Sequence, residues 1–163
     1  MKKFTFALTA LFLIQGFVYS QQPDMHKSKP SKSIKSKITI LNAWIRPAAK
    51  GANSAMYFQI QNNEDIPDTL FGAKSKLADI VELHESYIKE GDKMGMRPVK
   101  FIPVPPKSKT ELKPGGFHVM LLDLVKDFKK GDSFEAFVLL KHAGKVKVNA
   151  VVQDMPQMPG MKM

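Results

Sequence analysis

Two histidines and two methionines stand at spacings that let them share work. In Gly116-Phe117-His118-Val119-Met120-Leu121, strand alternation turns His118 and Met120 to one face and Phe117, Val119 and Leu121 to the other. The second set is apolar and suits a core. An imidazole and a thioether are therefore presented side by side, just after the flexible Pro114-Gly115-Gly116 turn. Upstream, His84 closes an expected strand, and Met94 and Met96 follow the Glu90-Gly91-Asp92 turn, so two strand ends and their loop can bring an imidazole and one or two thioethers to the same rim. Thioethers with imidazole, without thiolate and without a carboxylate ligand pattern, select Cu(I) over zinc, calcium or magnesium. Cu(II) is harder, so it is expected to lean on the imidazoles of His84, His118 and His26. Any one of these residues alone reads as packing or surface; together they read as a soft-metal site.

The elements that must position them lie in a chain of one-domain size. It has 163 residues, 44% hydrophobic and 25% charged, which is the composition of a folded globular chain. Cysteine is absent. Disulfides, thiol nucleophiles, zinc–thiolate sites, iron–sulfur clusters and the thiolate-ligated blue-copper centre are excluded together. Methionine occurs ten times.

Lys2 and Lys3 precede an apolar run from Phe4 to Ile14, and Gly16, Val18 and Ser20 then supply small residues for cleavage. Residues 1–20 are expected to be a secretory signal, with Gln21 the new N-terminus. The run is too short and too interrupted for a membrane span, and with no Cys after it a lipid anchor there is not expected. Residues 21–37 form a basic flexible linker with five Lys against one Asp. The formal net charge of +10 is otherwise spread thinly, with Arg46 and Arg97 the only arginines, so nucleic acid is not an expected partner. A periplasmic or otherwise exported protein is expected, without stable membrane insertion after cleavage, and monomeric.

From Ile38 the pattern becomes short β-branched and aromatic runs punctuated by Gly, Pro, Asn and Asp. Eight strands are expected: Ile38 to Arg46, Ala55 to Gln61, Thr69 to Ala73, Ile80 to Ser86, Gly95 to Pro98, Phe117 to Leu122, Ser133 to Leu140 and Lys145 to Val152. That makes residues 38–152 an all-β, two-sheet sandwich. Asp123 to Lys129 has a weak helical pattern, too short to stand alone. Residues 153–163 form a Met-rich tail in which Met155, Met158, Met161 and Met163 recur among Pro and Gly. No strand continues through that pattern, and an exposed thioether tail suits a second metal site, which Met25 and His26 could join.

The series His84-x11-Met96-x21-His118-x-Met120 resembles the ligand signature of the periplasmic copper chaperone family called PCu(A)C, over about residues 38 to 152. The neighbouring text agrees: Leu83-His84-Glu85, Met94-Gly95-Met96-Arg97-Pro98-Val99, and Leu112-Lys113-Pro114-Gly115-Gly116-Phe117. The family's usual first gap is one shorter, which places an inserted residue in the Glu90-to-Lys93 turn or makes Met94 the ligand. The intact x21 gap and the following Arg-Pro-Val favour Met96. The resemblance implies a cupredoxin-like, Greek-key antiparallel β-sandwich that binds Cu(I) through two His and two Met. It further implies delivery to the binuclear copper domain of cytochrome c oxidase or its assembly proteins, sometimes with a thiol-containing partner. It also implies a second copper on Met-rich tails. A copper buffer without a dedicated acceptor is the nearest competing function, and a metal-free interaction sandwich a more distant one. An enzyme is not expected, because no nucleophile, base and orienting group stand together.

Overall fold

A computed structural model describes residues 37–155, in which ten strands account for the regular structure. They are β1 (Ile38–Ile45), β2 (Ser54–Asn62), β3 (Asp68–Lys74), β4 (Ala78–Lys89), β5 (Lys93–Pro98), β6 (Ile102–Val104), β7 (Ser108–Leu112), β8 (Phe117–Leu124), β9 (Ser133–Leu140) and β10 (Gly144–Val152). The expected signal and nearly all of the expected linker lie outside the described residues. Two strands exceed the eight expected. Both β6 and β7 are short and sit in a segment dense with Pro and Lys, where no alternation is visible. The stretch from Asp123 to Lys129 forms no helix; it leaves β8 and returns Phe128 to the core through a bridge to Ala48.

The ladder runs β5-β4-β8-β2-β1-β10-β9-β3-β6, with β7 pairing the far half of β2. Sequence-distant neighbours such as β8 beside β2 and β9 beside β3 are what Greek-key connections produce. Pairing is antiparallel with one exception: β1 and β10 run parallel, Trp44 opposite Val151 and Ile45 opposite Val152. A parallel pair needs a long crossover, and here nearly the whole domain supplies it. The ladder closes on a shared core. Leu83, Val119 and Leu121 from one end of the order and Leu70, Val138 and Leu140 from the other belong to a single buried cluster. Each such side chain contributes about 1.5–3 kcal/mol through removal from water.

Alternation leaves the opposite face of β4, β8 and β2 for other uses. A small second cluster lies there, Trp44, Ala55 and Tyr57, with Met120 packed against it. The Trp44 and Tyr57 rings are 4.5 Å apart. A bulge in β1 between Leu41 and Trp44, with Asn42 at φ 51°, resets the register so that Trp44 meets Tyr57.

One buried carboxylate ties the β9–β10 turn to β3. Asp68 accepts N–H bonds from Thr69 (2.7 Å), His142 (2.9 Å) and Ala143 (2.9 Å). Burial pushes its carboxyl up, but these N–H donors and the adjacent His142 outweigh it, and the pKa lies below the ordinary value. A depressed folded pKa means stability present above the unfolded value, near pH 4, and lost as pH falls through the folded one. Asp68→Asn should cost about 1–3 kcal/mol at pH 7. In urea unfolding its gap from the wild type should close below about pH 4; a gap constant from pH 7 to pH 2.5 would contradict this.

Candidate metal centre

The site begins at a turn. Lys113-Pro114-Gly115-Gly116 closes through Gly116 N–H to the Lys113 carbonyl at 3.0 Å, with Gly115 at φ 78°. Proline at the second position and a positive-φ glycine at the third make this a type II turn. It feeds β8 so that His118 lies opposite His84 of β4, and Met120 opposite Glu82. The two imidazole centroids are 5.8 Å apart. That leaves room for a single ion reached by both rings at the ~2 Å of a metal–imidazole bond.

The sequence expectation put His84 at the end of a strand and the group at a rim. Instead β4 continues to Lys89, so His84 is internal, and the group lies on the outer face of the sheet. Tyr87, Ile88 and Lys89, paired with Gly95, Met94 and Lys93, extend the ladder beyond the expected end at Ser86.

Each imidazole is held by one nitrogen and keeps the other free. His84 Nε2 lies 2.9 Å from a Glu82 carboxylate oxygen, and His118 Nδ1 lies 3.1 Å from the Gly116 carbonyl. Both partners are acceptors, so those nitrogens carry the protons and the lone pairs stand on His84 Nδ1 and His118 Nε2. These two atoms are buried and have no hydrogen-bond partner. Buried polar nitrogens without partners are uncommon in folded proteins and mark a place for a ligand. His118 is 2% exposed, and its pKa lies below the ordinary imidazole value, first because of burial, with His84 adding to it against the Gly116 carbonyl. Its neutral, ligating form is the favoured one at neutral pH.

The thioethers follow from register. Ser86 pairs with Met96 and Ile88 with Met94, so both methionines share the face of His84. His84 itself pairs with Pro98, two residues from Met96 and four from Met94. Met96 is 58% exposed and Met94 61% exposed. Only Met96 of the two lines a cavity of about 200 Å³ together with His118 and Met120. Tyr57 and Arg46 also line it, and burial pushes the Tyr57 phenol up against the pull of the Arg46 guanidinium.

The hairpin that carries Met96 depends on a glycine. A Cβ on Gly95 would come within 2.9 Å of the Tyr87 ring and 2.5 Å of Lys89 Cε. The lysine can move, but the Tyr87 ring is flanked by Arg97 at 5.1 Å. Gly95→Ala should therefore destabilise the chain by about 1–3 kcal/mol, read from the urea midpoint; an unchanged midpoint would show that the hairpin absorbs the methyl group.

Among the described residues no group of three or more His, Cys, Asp or Glu is placed to hold a metal, so the donor set in view is imidazole and thioether. Such a set is neutral and soft. Of the residues expected to form a second site, Met25, His26, Met158, Met161 and Met163 lie outside the described residues. Met155 does not stand apart: it lines the same cavity as Met96, His118 and Met120. Glu82 and the Gly116 carbonyl went unrecognised in the sequence. Glu82 was legible in principle, two residues from His84 on the same strand face; a backbone carbonyl carries no such signal.

A family model described as "Putative lipoprotein LpqE-like" matches residues 38–152. Protein Lxx21020 of Leifsonia xyli subsp. xyli is 25% identical over 117 residues, 72% of this chain and 70% of its own length. Among solved structures, the apo PCuAC domain from PmoF1 matches with a TM-score of 0.62 at 29% identity, over 72% of this chain and 94% of that one. The copper-bound PCuAC domain from PmoF2 matches with a TM-score of 0.59 at 30% identity, over 74% and 94%.

Proposed function

This chain belongs to the LpqE-like family, of the PCuAC type, and from that premise we propose that it is an exported copper chaperone. Its folded body takes one Cu(I) between His84, Met96, His118 and Met120. The observation that carries this reading is the pair of buried, partnerless nitrogens, His84 Nδ1 and His118 Nε2, on imidazoles paired across two strands with their ring centroids 5.8 Å apart. The match to a copper-bound domain of 30% identity supports the choice of metal.

Each residue then has a defined task. Glu82 and the Gly116 carbonyl fix the ring tautomers, so no proton has to be moved before the ion enters. Met120, supported by Trp44 and Tyr57, supplies a thioether from the packed side of the site. Met96 supplies one from the exposed hairpin, where it can be exchanged for a donor of a partner. Neutral ligands make the site exchangeable, which suits a carrier. Cu(II), when present, rests on the imidazoles.

The recipient on this reading is the binuclear copper domain of cytochrome c oxidase or one of its assembly proteins, reached in the periplasm by a monomer. The test is to mix the Cu(I)-loaded chain with the isolated oxidase copper domain and follow the metal. Growth of the binuclear centre's absorption with matching loss of copper from the chain is expected. Retention of copper by the chain, with the acceptor competent toward free Cu(I), would contradict delivery and leave a buffering role for the same site.

A further inference from the structure

The last described residue is the one that the site so far leaves unused. Val152 ends β10 beside Ile45, and the chain beyond it makes one backbone and one side-chain contact: Gln153 N–H donates to the Ile45 carbonyl at 3.0 Å, and the Asp154 carboxylate pairs with the exposed Lys130 ammonium at 2.7 Å. Because β10 runs parallel to β1, the chain leaving it continues in the direction that β1 takes toward Arg46. Met155 thereby reaches the cavity lined by Met96, His118 and Met120 while remaining 41% exposed. Of the two imidazoles, the cavity that Met155 lines is shared by His118, the more buried one, and not by His84.

We propose that Met155 is a further ligand of the same Cu(I), exchanging with Met96, and that the start of the Met-rich tail thus belongs to the body site. This rests on the site reading above. Two imidazoles, Met96, Met120 and Met155 offer five donors to an ion that takes at most about four in a sulfur and nitrogen environment, so one exposed thioether is always spare. The two most exposed of the three, Met96 and Met155, are the ones that trade places. Thioethers are neutral and individually weak, so each trade is a small step, and an ion leaving for an acceptor retains one protein thioether while the other is replaced.

Redundancy of this kind has a distinct signature in a double-mutant cycle. Leucine keeps the apolar bulk and removes the sulfur. In Cu(I) competition against a chromogenic chelator, with the chain from Gln21 to Met163, Met96→Leu and Met155→Leu should each weaken binding about threefold. The double variant should lose about thirtyfold or more, beyond the roughly ninefold of independent sites. A double variant no worse than the product of the singles would overturn the proposal. A background carrying Met158→Leu, Met161→Leu and Met163→Leu should show the same excess; its disappearance there would assign the effect to the later tail and equally overturn it. Failure of the site itself is distinguishable, because His118→Ala would then bind like the wild type, whereas here it must be damaged whatever the Met155 result.

Discussion

His118→Ala should lower Cu(I) affinity tenfold or more, and Met120→Ala likewise, each decade corresponding to about 1.4 kcal/mol. The His118 change removes a buried nitrogen that has no hydrogen-bond partner, and with it one of the two imidazoles, 5.8 Å apart, proposed to hold the ion. It should not greatly disturb the fold, because the fully buried core residues of β8 are Val119, Leu121 and Leu124, and Val119 and Leu121 point to the face opposite His118. Competition titration with a Cu(I)-specific chelator reads the affinity, and urea unfolding of the metal-free chain separates it from stability. Met94→Ala is the internal control and should be nearly silent, since Met94 is two strand residues further from His84 than Met96 and does not line the cavity. A silent His118→Ala with a damaging Met94→Ala would place the metal elsewhere on the hairpin.

Glu82→Ala should cost about 10- to 100-fold in the same titration although Glu82 touches no metal. Its carboxylate holds the proton of His84 on Nε2 and so keeps the lone pair on Nδ1, the buried atom without a hydrogen-bond partner. Without it the ring is free to rotate and to change tautomer. Glu82→Gln still offers an acceptor oxygen and should recover much of the loss, although the amide lacks the carboxylate's charge. Equal effects of Ala and Gln would mean that charge, and not orientation, is what Glu82 supplies. No effect of either would show that packing alone fixes His84.

The two-residue period made β8 and its two faces legible: Val119 and Leu121 inward, His118 and Met120 outward. The expected strand stops at Ser86 because the charged Lys89 and the Glu90-Gly91-Asp92 turn follow closely, but a strand on an outer hairpin needs no apolar face to continue, and β4 runs on to Lys89. The short β6 and β7 were hidden because proline and lysine carry their segment and because their pairing to β3 and β2 is a tertiary choice. The parallel union of β1 and β10 is likewise invisible locally. That pairing is what brings Met155 to the cavity lined by Met96, His118 and Met120, whereas residue types alone made the methionines of the tail look like a separate group. Motif spacing carried the His and Met residues, but not the acceptors that set their tautomers.

Whether a single Cu(I) is held jointly by imidazole and thioether is read from X-ray absorption at the copper edge of the chain from Gln21 to Met163 loaded with one equivalent of Cu(I). A mixed shell is expected, nitrogen from two imidazoles with their outer-ring scattering together with sulfur, and loss of the imidazole signal in the His84→Ala, His118→Ala double variant. A shell of sulfur alone in the unaltered chain, unchanged by that double variant, would contradict it.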